Sequence, residues 1–222
     1  AAQAVRELNK SSIKASLDIL GENVKTVEEA EAATRDYCEV AKYIVADKLD
    51  SHISIKLTML GLDLSEDLAL KNLLHLLEVA TGTFVRIDME GSAYTSRTVD
   101  LFCAAREKYA NVGIVLQAYL FRTETDLDRV LRVGGRVRLC KGAYKEPANV
   151  AHQNMDMIRQ NYVKLATTLL ERCEYPAFAT HDDAVIAQVL ELVKTKKRTA
   201  PSFEFQMLYG LRAKRRQELC RK

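Results

Sequence analysis

The chain has 222 residues, of which 48% are hydrophobic and 28% charged, and carries a formal net charge of +3. That composition is globular and able to bury a core, and so small a charge excess gives no ground for a nucleic-acid or anionic-membrane partner. The cysteines Cys38, Cys103, Cys140, Cys173 and Cys220 stand far apart with no C-x-x-C among them, which argues against a disulfide framework or a zinc site and suits a reducing compartment.

The opening "AAQAVRELNK" reads as the interior of a helix and lacks the order of a secretion signal. No apolar stretch approaches the length of a membrane span. "KASLDIL" (14–20) is extended and stops at Gly21. Residues 26–49 have helical spacing, opened by Thr26 and Glu29 as a capping box, with Ala30, Ala33, Tyr37, Val40, Ala41 and Ile44 on one face. "HISIKLTML" (52–60) is the second extended run. Ser65 opens a helix striped by Leu70, Leu73, Leu74 and Leu77. "TFVRIDME" (83–90) is the third strand, followed by a helix near 95–109 through Val99, Phe102, Cys103 and Arg106.

"VGIVLQAY" (112–119) is the fourth strand, and a short helix runs from Thr123 to Arg132. "RVRLCKG" (136–142) is the fifth. A long helix near 150–172 carries Ile158, Tyr162, Leu165 and Leu169. "AFATHD" (177–182) is the sixth strand, and Asp182 or Asp183 caps a helix through Val185, Ile186, Val189 and Val193. The basic run "KTKKR" (194–198) reads as a solvated loop. "SFEFQMLYG" (202–210) is the seventh strand, and the tail from Leu211 is a helix with a basic outer side.

Strands rich in Val, Ile and Leu that alternate with helices predict a parallel sheet. A doubly wound sheet would show a Gly-rich phosphate loop after its first strand, and no G-x-G-x-x-G occurs. A (β/α)8 barrel instead requires functional residues near the C-terminal ends of several strands. Asp18, Lys56, Asp88, Gln117, Arg138, Lys141, Thr180, His181, Glu204 and Gln206 are so distributed over the seven runs. Charged side chains within apolar strands are costly unless paired, so these groups are expected to meet at one polar mouth. Lys56, Arg138 and Lys141 are cationic, and Asp88 is the natural ion partner for one of them. Such a site suits an anionic or heteroaromatic ligand. No H-E-x-x-H and no His/Cys/Asp cluster offers a metal site. His52 and His75 lie outside the constellation.

The motifs "SIKLTMLGLD", "FVRIDMEGSAYT", "VLQAY", "VRLCKGAYKEP", "FATHD" and "FEFQMLYG" resemble, in order, the strand motifs of the proline dehydrogenase family, of the bacterial monofunctional type. The resemblance covers most of the chain. It implies a distorted (β/α)8 TIM-type barrel, FAD as cofactor, L-proline as substrate, a hydride passed to the flavin with 1-pyrroline-5-carboxylate as product, and a quinone as electron acceptor. By the same resemblance Lys56 contacts the substrate carboxylate and Tyr144 lies near the substrate pocket. Asp88 organises the cations, and Arg138 stands beside the reactive flavin nitrogen. Met89, Gln117, Lys141, Gly142, Ala143, Thr180 and His181 match flavin-contact positions. A cytoplasmic location is implied, with peripheral contact to the inner membrane left open.

Seven strands are read where the family's barrel has eight. The family's last helix carries a tyrosine and an arginine pair that clamps the substrate carboxylate. "KRR" (214–216) lacks that tyrosine and reads as the solvated face of the helix after the seventh strand. The expectation is a single barrel domain over 1–222 without the family's leading helices and without its last strand and helix. Two other readings compete: a flavin- or ligand-binding barrel without turnover, and a Schiff-base aldolase with Lys56 or Lys141 as nucleophile.

Overall fold

The computed structural model describes residues 1–220, and these gather into two compact units. One takes Ala1–Glu90 with Tyr94–Ile114; the other takes Gly91–Ala93 with the chain from Val115 onward.

The first unit contains α1 (Ala2–Lys10), β1 (Ala15–Asp18), α2 (Val27–Ala46), β2 (Ser51–Ile55), α3 (Glu66–Val79), β3 (Val85–Ile87), α4 (Thr95–Arg106) and the first half of β4 (Val112–Gln117). Its strands pair in parallel, with Asp18 beside Ser54, Ile55 beside Ile87, and Ile87 beside Ile114. The second unit holds the rest of β4, then α5 (Thr123–Arg132), β5 (Arg136–Cys140), α6 (Met155–Arg172), β6 (Ala177–Ala179), α7 (Asp183–Thr195), β7 (Glu204–Gln206) and α8 (Ala213–Cys220). Here Arg138 pairs with Ala177, Leu139 with Phe178, and Phe178 with Phe205, again in parallel. Strand order follows the chain from β1 to β7, the β/α alternation of a TIM-type barrel with seven strands.

Local chemistry sets the helix starts. Thr26 and Glu29 form the reciprocal cap: Thr26 Oγ1 accepts from the Glu29 amide at 3.2 Å, and Glu29 Oε2 accepts from the Thr26 amide at 3.3 Å. Asn154 accepts from the amides of Asp156 and Met157 at the start of α6, and Asp182 accepts from those of Ala184 and Val185 at the start of α7. Each such cap stabilises its helix by about 1 kcal/mol. The buried faces then follow the helical period. Ala30, Tyr37, Ala41 and Ile44 line α2, and Val185, Ile186, Val189 and Val193 line α7.

Several boundaries differ from the sequence reading. The second extended run ends at Ile55, not at 60. Past it the backbone folds into successive turns, with the Met59 amide donating to Lys56 O and the amides of Leu60 and Leu62 to Leu57 O. Leu57, Leu60 and Leu62 are fully buried in those turns; a short buried apolar run has the same hydrophobicity whether extended or curled. Helix α6 starts at Met155, because 141–154 is a connecting segment. That segment is clasped by Glu146, whose carboxylate accepts from both the amide and the hydroxyl of Ser92. On α3 the buried stripe runs through Ala69, Leu73, Leu76 and Leu77, with Leu70 and Leu74 half-buried. The basic run at 194–198 begins on α7; Lys194, Lys196 and Lys197 are exposed as read, while the half-buried Arg198 donates to the carbonyls of Cys173 and Glu174. Arg215 of "KRR" likewise pairs with Asp183. No helix among the described residues is long and apolar enough to cross a membrane.

Candidate functional site

In the first unit the groups of interest stand at the C-terminal end of β1 and just past those of β2 and β3. Strand register decides their partners. Because Asp18 lies level with Ser54, Lys56 reaches back across one strand, and its Nζ donates to Asp18 Oδ2 at 2.8 Å. Asp18, not Asp88, is therefore the hydrogen-bonded ion partner of Lys56. Asp88 is tied to the same strand ends in two ways: its amide donates to Ile55 O at 2.8 Å, and its Oδ1 accepts from the Ser54 hydroxyl at 3.1 Å. Burial disfavours the Lys56 charge, but the Asp18 hydrogen bond and the charges of Asp18 and Asp88 outweigh it, so its pKa lies above the ordinary lysine value. Lys56 is thus held as an ammonium. Met89 is buried.

Two residues that the sequence reading passed over complete this end. Glu90 is 2% exposed; its Oε2 accepts from the Thr58 hydroxyl at 2.6 Å, and its Oε1 accepts from the Thr58 amide at 3.2 Å. Burial raises the Glu90 pKa against the lowering effect of both Thr58 bonds. Glu90 and Thr58 each stand two residues beyond a residue that was singled out, Asp88 and Lys56. The period-two rule that selected those two would have found them.

The second unit carries the remaining candidates. Gln117 closes β4 and is buried, with its carbonyl accepting from the Thr123 hydroxyl at 2.5 Å. On β5 burial alternates: Val137 and Leu139 are buried, while Arg136, Arg138 and Cys140 on the other face are partly open. Lys141 follows, and its Nζ donates to Asp182 Oδ2 at 3.0 Å. The same oxygen accepts from Arg159 Nε at 2.8 Å, so Asp182 both caps α7 and joins two cations. Burial works against the Asp182 charge, but the hydrogen bonds from Arg159 and Lys141 prevail, and the carboxyl titrates well below the usual carboxylate range. Arg159 and the dual role of Asp182 were not legible in the sequence, because Arg159 reads there as an outward residue of a helix.

Gly142 must be glycine for a reason internal to the fold. Its φ is +119°, and an added Cβ would stand 2.3 Å from Cδ1 of Tyr119. The Tyr119 ring and the positive φ together impose it. Burial of that ring pushes the Tyr119 phenol up to about 12. Ala143 is exposed and Tyr144 half-buried. Beyond β6, Thr180 is buried and its hydroxyl oxygen accepts from the Asp182 amide at 3.1 Å. His181 Nε2 accepts from the Leu208 amide at 3.0 Å, and its carbonyl accepts from Arg212. Accepting at Nε2 leaves the ring proton on Nδ1. Gln206 ends β7, but Glu204 opens it, contrary to the sequence reading; its carboxylate accepts from Tyr175 and from Gln206.

Apart from Glu204 and from Arg138, which lies within β5, the candidate residues stand at or just past the C-terminal ends of their strands, as the barrel rule expects. A family model described as "Proline dehydrogenase" matches residues 1–222. The chain belongs to the proline dehydrogenase family.

Among its curated relatives, proline dehydrogenase 2 of Bacillus subtilis (strain 168) is 39% identical over 211 residues, covering 94% of this chain and 70% of that protein. Proline dehydrogenase 1 of the same strain is 38% identical over 226 residues, covering 100% of this chain and 74% of that protein. The proline dehydrogenase of Deinococcus radiodurans is 32% identical over 227 residues, covering 99% and 73%. Among solved structures, proline utilization A from Bdellovibrio bacteriovorus, inactivated by N-propargylglycine, superposes with a TM-score of 0.87 at 24% identity. That match covers 95% of this chain and 27% of the larger one, and it shows the fold.

Proposed function

We propose that the chain oxidises L-proline to 1-pyrroline-5-carboxylate with FAD as hydride acceptor and a quinone as final acceptor. The reading rests on family membership over residues 1–222, and the observation that carries it is the Lys56 ammonium, fixed by Asp18 at 2.8 Å just past β2. A half-buried cation of raised pKa is suited to the carboxylate of an amino acid, since charge-assisted hydrogen bonds are about twice as strong as neutral ones.

The donor set of the second unit fits a flavin nucleotide. Gln117, Arg138, Lys141 and Thr180 stand on β4, on β5 or just past the ends of β5 and β6, and supply amide, guanidinium, ammonium and hydroxyl groups suited to an anionic, hydrogen-bonding heteroaromatic cofactor. With Gly142, Ala143 and His181 they are the residues of this unit proposed to hold FAD. When bound, FAD would supply the two-electron redox chemistry that no side chain offers. Arg138 is proposed to provide fixed positive charge where negative charge develops, which is often the largest single contribution to catalysis. Asp182 restrains Lys141 and Arg159 through one oxygen. Asp88 holds Ser54 and the strand ends around Lys56, and Tyr144 is proposed to border the substrate.

The Schiff-base reading loses ground on the same geometry. A lysine nucleophile must be neutral, yet Lys56 is ion-paired with a raised pKa and Lys141 is ion-paired with Asp182. The test is a visible spectrum of the purified chain. Flavin absorption that bleaches on anaerobic addition of L-proline is expected. A yellow protein that proline does not bleach would indicate binding without turnover, and a chain that takes up no flavin would refute the assignment.

A further inference from the structure

The connection between β1 and α2, residues 19–26, is pinned to the turn after β2 at three points. Asp18 pairs with Lys56 at its root. At Gly21, with φ +153°, an added Cβ would lie 2.8 Å from Met59 Sδ, so the backbone rests directly on that side chain. The amide of Asn23, a residue in the left-handed region with φ +56°, donates to Thr58 Oγ1 at 3.2 Å.

This third contact depends on how the Thr58 hydroxyl is oriented. A hydroxyl has one proton to give and two lone pairs to accept with. The buried Glu90 carboxylate takes the proton at 2.6 Å, which turns the oxygen's lone pairs away from Glu90 and leaves them for the Asn23 amide. The carboxylate's other oxygen holds the Thr58 amide, so side chain and backbone are fixed together. Tyr94 supports the far side: its hydroxyl donates to Asp63 Oδ1 at 2.8 Å and lies 3.3 Å from Asn23 Oδ1.

We propose that Thr58, oriented by Glu90, is a positioning residue that latches the 19–26 connection onto the turn carrying Lys56 and so fixes the Asp18–Lys56 pair for substrate. The part that concerns substrate rests on the assignment of Lys56 under the proposed function. The latch itself does not.

Three variants test it: Thr58→Val, which keeps shape and removes the hydroxyl; Thr58→Ser, which restores it; and Glu90→Gln, which keeps an acceptor and removes the charge. Amide hydrogen exchange is followed across residues 19–26, with global stability measured alongside. Thr58→Val is expected to speed exchange at Asn23 by roughly fivefold to tenfold, the loss of one ordinary hydrogen bond, with Thr58→Ser close to the parent and Glu90→Gln between them. Equal exchange in the Val and Ser variants would overturn the latch, because packing alone would then hold the connection. If exchange responds as expected, KM for L-proline in Thr58→Val should rise with a smaller change in kcat; an unchanged KM would overturn the link to Lys56. A parent chain that does not oxidise proline would remove the proposed function while the exchange result still decides the latch.

Discussion

Replacing Asp182 by asparagine separates two roles that one side chain performs. The carboxylate is 9% exposed and joins Lys141 and Arg159 through Oδ2, while Oδ1 caps α7. Asparagine keeps an oxygen for the cap and loses the charge; alanine loses both. Hydrogen bonds to charged groups contribute about 1.5–3 kcal/mol, but Lys141 and Arg159 are 26% and 36% exposed, and solvent screening moves the expectation to the low end. Asp182→Asn should therefore cost about 1–2 kcal/mol at neutral pH, and Asp182→Ala about 1 kcal/mol more for the cap. Urea unfolding at constant m-value reads both. The pH dependence is the sharper measurement. The native carboxyl is held below its ordinary value, so its contribution is complete above the unfolded pKa of about 4 and is lost as pH falls through the native one. The parent should lose its advantage over Asp182→Asn by roughly 1 kcal/mol per pH unit below about pH 4. A penalty that stays constant from pH 7 to pH 3 would refute the claim that charge, rather than shape, holds this cluster.

Gly142→Ala should destabilise by about 2–5 kcal/mol, from a left-handed φ and overlap with the Tyr119 ring; Tyr119→Ala in the same chain should recover part of this in a denaturation series. Lys56→Met should raise KM for L-proline by about 10- to 100-fold, the range of a lost charge-assisted contact, and steady-state kinetics would show it. Arg138→Met should leave the far-ultraviolet spectrum unchanged while lowering flavin affinity or the rate of flavin reduction; unchanged stopped-flow reduction would reject its role.

Local signals were legible where neighbours in sequence decide the outcome. The Thr26–Glu29 cap, the caps at Ser65 and Asp182, and the buried faces of α2 and α7 need only the chemistry of one turn. Strand existence was legible from apolar runs, but strand length was not. Past Ile55 the run Leu57–Leu62 stays buried by curling, and burial carries no record of that choice. The candidate residues were legible as types and places, since a polar group at the end of an apolar strand stands out. Their partners were not. Asp88 was legible as an acid among cations, but only register, by setting Asp18 level with Ser54, decided that Lys56 is held by Asp18.

The sequence by itself determined the β/α alternation and the helix caps, because period and capping are written in residues a few positions apart, and its ordered strand motifs carried the resemblance to the family. Only the tertiary structure decided which acid holds which cation, why Gly142 bears no side chain, and that Glu90 orients Thr58. Those contacts join residues 23 to 41 positions apart, and their geometry comes from strand register and turn shape, which no single segment encodes.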